Sequence, residues 1–251
     1  MSRSTVSFLG IALSVLIALT VPAANAQESS AIETTATVAP SLSPDRLDSK
    51  GTLTLAIHYS GGEFGVPSPV RRSVLKLPAG LSLEIPKLRS CSPTRLRAQG
   101  ARACPSQSEI GTGRALVEAH AGSQVIAEHL TLWVFLGPLE NFQPTFEVLG
   151  QGETPLRKRV VLHGSVLPAQ PPYGEELVMN IPPIATLPLE PDASLSSLTL
   201  TVGSHSHGLA HDANQIVLPG SCPPAGFPFA AEFTYADGSI GSAQATSRCP
   251  R

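Results

Sequence analysis

FPFAAEFTYADGSIGSAQATS, residues 227–247, carries the strongest fold signal in the chain. Phe227, Phe229, Ala231, Phe233 and Tyr235 fall on alternate positions, the period of a strand that buries one face. Ala236-Asp237-Gly238 then fits a three-residue hairpin loop with Gly238 in the left-handed position. Counting outward from that loop sets Tyr235 against Ser239, Phe233 against Gly241, Ala231 against Ala243 and Phe229 against Ala245. Large side chains meet small ones, as a packed inner face requires.

The same texture repeats upstream. Short alternating or apolar runs fall at 52–57, 70–77, 111–119, 125–136, 145–149, 159–167, 176–181 and 195–202. Gly61-Gly62, Pro78-Ala79-Gly80, Ala121-Gly122-Ser123, Pro171-Pro172 and Pro182-Pro183 punctuate them. Trp133 lies in a run that is apolar on both faces and reads as core. One short helix is expected at 93–99, with Ser92 as a capping side chain, Pro93 in the first turn and Gly100 as the stop. About ten short strands and one helix predict an all-β fold, a β-sandwich with a jelly-roll winding as one form, in a single domain over 51–251. Residues 27–50 are rich in Ser, Thr, Ala and Pro and read as a flexible leader; the alternative is a first strand near 32–38.

Residues 1–26 have the form of a secretory signal peptide. Arg3 supplies the positive start, Val6–Val21 the apolar run, and Ala24-Asn25-Ala26 the small residues before a cut. The run is shorter than the ~20 residues that span a bilayer. Cleavage after Ala26 and secretion are expected, with no lipid attachment and no transmembrane segment in the mature chain. Losing Arg3 takes the formal charge from −2 to −3. That balance offers no general footprint for nucleic acid.

Export makes sense of the four cysteines, which allow three disulfide connectivities. The hairpin parity places Cys249 opposite Ala225, three positions from Cys222, and so favours Cys222–Cys249. Cys91 and Cys104 are left to close a small loop around the helix. Neither the C-x-x-C of a redox centre nor the close pairs of a zinc site occurs.

Several of these stretches are shared with a known group. Leu77-Pro78-Ala79-Gly80-Leu81, Cys91, Ala103-Cys104-Pro105, Ser108-x-Ile110-Gly111-Thr112-Gly113 and Phe233-Thr234-Tyr235-Ala236-Asp237-Gly238 before a last cysteine form its pattern. In them the chain resembles an uncharacterised family of exported, β-rich, disulfide-containing proteins of high-GC Gram-positive bacteria, over most of 50–250. The resemblance implies export, one β-rich unit and paired cysteines. It brings no catalytic residues with it.

Two clusters are chemical candidates. His205, His207, His211 and Asp212 place three imidazoles and a carboxylate within eight residues, a possible metal set; the competing reading is a polar loop kept solvated by Gly and Ser. Arg71, Arg72, Arg95, Arg97 and Arg102 belong to a segment with nine cationic residues against Glu84 and Glu109, a candidate surface for an anionic cell-envelope polymer. The competing reading is a solvated face balanced by acids such as Glu175 and Glu176. Arg95 and Arg97 are two apart and do not share a helical face. No G-x-S-x-G elbow or H-E-x-x-H helix occurs, and one Trp with three Tyr is a poor endowment for a sugar site. The sequence therefore predicts an exported, non-catalytic protein without a cofactor, with a structural, adhesive or ligand-binding role at or outside the cell envelope. Its partner would be an anionic polymer or another protein. The alternative is a secreted hydrolase or metal-dependent enzyme using the loop 205–212.

Overall fold

The computed structural model describes residues 33–43, 46–62, 65–84, 89–121, 124–153, 157–186, 191–203 and 216–249. The fold is all-β. The longer strands are β1 (Thr35–Ser43), β2 (Lys50–Ser60), β3 (Val70–Pro78), β5 (Glu109–Ala121), β6 (Gln124–Leu136), β7 (Thr145–Gly152), β8 (Arg159–Pro168), β9 (Tyr173–Asn180), β10 (Ser194–Val202), β12 (Phe227–Tyr235) and β13 (Ile240–Ser247). Two-residue strands β4 (Ser82–Leu83) and β11 (Ile216–Val217) complete the set, and α1 spans Pro93–Gln99.

The signature hairpin forms in the expected register. Phe233 faces Gly241, Ala231 faces Ala243 and Phe229 faces Ala245, and the Tyr235 N–H donates to the Ser239 carbonyl at 3.0 Å. The side chain of Tyr235 lies across Gly241, where a Cβ would collide with it. The five inward residues of β12 are each under 5 % exposed and belong to the main core cluster. There Phe233 meets Tyr59 of β2 edge-on, ring centroids 5.1 Å apart, a geometry worth about 1 kcal/mol beyond burial.

All thirteen strands among the described residues belong to one hydrogen-bonded sheet, ordered β13-β12-β3-β9-β8-β7-β6-β5-β10-β2-β11-β4, with β1 on the other side of β2. Every pairing is antiparallel. The sheet curls until β1 lies beside β13, so the layers that face each other are two halves of one continuous sheet. By this register β1 and β13 run in the same direction. No ladder joins them among the described residues.

β1 corrects the leader reading of 27–50. Thr35–Ser43 pairs with β2 along its whole length, from Thr35 opposite Ser60 to Ser43 opposite Thr52. Ala36, Val38 and Leu42 face the core, and Pro40 is tolerated because β1 is an edge strand whose outer side needs no ladder donor. The alternation was too weak to stand out because its inward phase is small or proline-broken. Residues 1–32, with the signal peptide and the cut after Ala26, lie outside the described residues.

The ladders give the curled sheet two ends. β6, β8 and β10 finish at one end, where both disulfides also lie; the hairpin loops after β5, β7 and β12 mark the other. At the disulfide end β4 and β11 add on beyond β10 and bring Leu81, Leu83, Ile216 and Leu218 over the interior. Gly203 (φ +95) turns the chain out of β10 so close to the Gly51 carbonyl that any Cβ would clash.

α1 forms where expected but without the expected cap: Ser92 makes no side-chain hydrogen bond to the helix, and Pro93 opens it unaided. At its other end the Gly100 N–H donates to the Leu96 carbonyl at 2.9 Å. The helix lies against the outer surface of the sheet. Leu96, with no exposed surface, packs there with Cys91, Phe135 and Leu149, and Trp133 borders this satellite cluster. Trp133 is thus core, but of the outer cluster.

Candidate functional site

Alternation sets what the curled sheet encloses. On β6, Ile126, Leu130, Leu132, Val134 and Leu136 point inward; on β10, Leu195, Leu198, Leu200 and Val202 do. Outward positions on β2 and β13 are Thr52, Thr54, His58, Ser242, Gln244 and Thr246. β2 thus presents apolar side chains inside and mostly polar ones outside. No helix among the described residues is long and apolar enough to cross a membrane.

The interior is not filled. Residues of β2, β3 and β5 to β10, with Phe233 of β12, line a cavity of about 320 Å³. Leu75, Leu130, Leu162, Leu177, Met179 and Leu200 line it and keep accessible surface although they face inward. Gly150 and Gly152 stand at inward positions of β7, where the side chains of Leu130 and Leu132 and the Glu128 carboxylate lie over their backbone. At Gly164 of β8 the Phe146 ring lies flat over the backbone, where a Cβ would strike it. The volume falls in the range of small-molecule sites.

Few polar groups reach this space. Glu128 of β6 is 5 % exposed, and its Oε1 accepts the Arg157 backbone N–H at 3.1 Å. Lys158 lies at the same end and its Nζ donates to the Ala185 carbonyl at 2.5 Å. Glu175 of β9 lines the wall nearer the disulfide end, and burial holds its carboxyl above the usual range.

The cysteines pair as expected: Cys91–Cys104 with Cα atoms 5.3 Å apart, and Cys222–Cys249 at 5.7 Å. Such bonds mark an oxidising compartment. The arginines do not converge. Arg71 forms an ion pair with Asp192, not with Glu175 or Glu176, and Arg72 is exposed on β3 opposite Asn180. Arg95, Arg97 and Arg102 are exposed on α1 and the turn after it. Only Arg97 joins other cations, in a shallow groove with Lys158 and Arg159 against Pro182 and Pro183. His205, His207, His211 and Asp212 lie outside the described residues.

Beneath α1, His163 and Glu147 form a second polar pair on the outer face. Sequence reasoning missed the cavity and both of its carboxylates. A signal existed: Glu128 and Glu175 each interrupt an aliphatic series at its inward phase, between Ile126 and Leu130 and before Leu177 and Met179. Comparison with known proteins finds no matching family model, no matching curated protein and no matching solved structure.

Proposed function

We propose that this is an exported, non-catalytic binding protein that carries a small apolar or amphiphilic molecule inside its curled sheet, at or outside the cell envelope. The observation behind this reading is the unfilled aliphatic interior. Leaving Leu and Met side chains only partly packed costs energy that a simple structural domain has no reason to forgo, about 24 cal/mol for each Å³ left empty. A ligand restores those contacts. Two disulfides suit such a carrier in an oxidising setting, since they brace a wall that cannot rely on a solid centre.

The reading is tested by filling the space. A neutral naphthylamine dye that fluoresces in apolar surroundings should bind the purified protein at one site. Leu162→Trp should abolish that binding while circular dichroism and melting stay close to those of the parent. Unaltered dye affinity in a folded Leu162→Trp variant, or no dye binding by the parent, rejects the cavity as a ligand site.

A further inference from the structure

The inward series of β6 places a carboxylate among aliphatic side chains. Glu128 sits between Ile126 and Leu130, is 5 % exposed and reaches the cavity. Among the described residues its one hydrogen-bond donor is the Arg157 N–H, on Oε1. A buried carboxylate is costly unless further donors satisfy it. Space has been made for the group: a Cβ on Gly152 would collide with Oε1. The other polar side chains at that end are turned to backbone carbonyls, Lys158 to Ala185 and Thr186 to Pro191. Among the described residues Glu128 therefore offers the cavity acceptor capacity beyond the one bond it takes from Arg157.

We infer that Glu128 receives the head of a single-chain amphiphile bearing a hydroxyl or ammonium group, with the tail running past Leu132, Val148 and Leu162 toward the disulfide end. This rests on the cavity being the ligand site. A carboxylate head would meet like charge at Glu128, and a bare hydrocarbon would leave its oxygen unmatched.

Displacement of the naphthylamine dye from the full chain at neutral pH by 1-dodecanol, dodecylamine and dodecanoate provides the test. The alcohol and the amine should compete at least about 10-fold more strongly than the carboxylate, the worth of one charge-assisted hydrogen bond. Glu128→Gln should remove most of the amine's advantage over dodecanoate, each competitor being compared with the dye on that same variant. Gly152→Ala, which displaces the carboxylate without removing its charge, should weaken alcohol and amine together. Equal competition by all three, or a preference for dodecanoate, overturns the inference and leaves the cavity reading standing. Failure of the dye and of every amphiphile to bind overturns the reading beneath it. If Glu128→Gln does not fold, the ranking measured on the parent still decides.

Discussion

His163 Nδ1 stands 2.7 Å from Oε1 of Glu147, a carboxylate with no exposed surface. The contact crosses from β8 to β7, where the two residues are register partners. Burial raises the Glu147 carboxyl above its ordinary range, against the opposing pull of His163 and, more weakly, of Arg97. Its second oxygen has no partner among the described residues, and His163 Nε2 lies 3.5 Å from Glu140. His163→Ala should then destabilise the fold by about 1–3 kcal/mol, because it strands a buried acceptor. Glu147→Gln should cost less, since the amide still bonds to the ring while the buried charge is gone. Urea denaturation at neutral pH gives the order, and a larger loss for Glu147→Gln would contradict this account.

Glu175 gives a pH prediction with a definite sign. Its carboxyl is raised by burial, so the folded state binds the proton more tightly than the unfolded chain does. The contribution is fully present below the ordinary carboxylate value and is lost as pH rises through the folded one. Glu175→Gln should therefore raise the melting temperature at neutral pH, with the gain shrinking on acidification toward pH 4.5. A gain that grows in acid would mean that the charged form is the one the fold favours.

Leu96 is the only buried side chain of α1 and holds it to the outer face of the sheet. Leu96→Ala should cost about 2–5 kcal/mol. Hydrogen exchange should show α1 loosening while β12 and β13 keep their protection, because the satellite cluster is separate from the main core.

Peptide mapping without reduction should recover Cys91 joined to Cys104 and Cys222 joined to Cys249. Replacing Cys222 and Cys249 together by Ser should remove about 3 kcal/mol of stability, and Cys91 with Cys104 slightly less because its loop is shorter. A mixed peptide linking Cys91 to Cys222 would refute the pairing.

Much of this architecture was legible where sequence and neighbour agree locally. The 227–247 hairpin declares its own register because its loop fixes the parity and its side chains alternate in size. The strands at 125–136 and 195–202 declare themselves by apolar residues too closely spaced for a loop. β1 reads from sequence only as the alternative to a leader, a strand near 32–38, because Ala36 and Pro40 weaken its inward phase and its burial depends on β2 and β13. β4 and β11 are two residues each, too short for any period. That Arg71 meets Asp192, 121 positions away, has no local signature. The cavity is the least legible feature of all. Its walls read as ordinary core, and the space between them depends on how far the sheet curves before its edges meet. Glycines 150, 152 and 164 and the misplaced-looking Glu128 were the traces it left.

The neighbours of β1 have a kinetic consequence. β1 pairs with β2 nearby, but its other flank is β13, about two hundred positions further on, and β3 waits for both β9 and β12. Contacts so distant along the chain make for slow assembly, in milliseconds to seconds where local helices need microseconds. In a nascent chain the flank of β1 that meets β13 is therefore uncovered until residues 240–247 have been made.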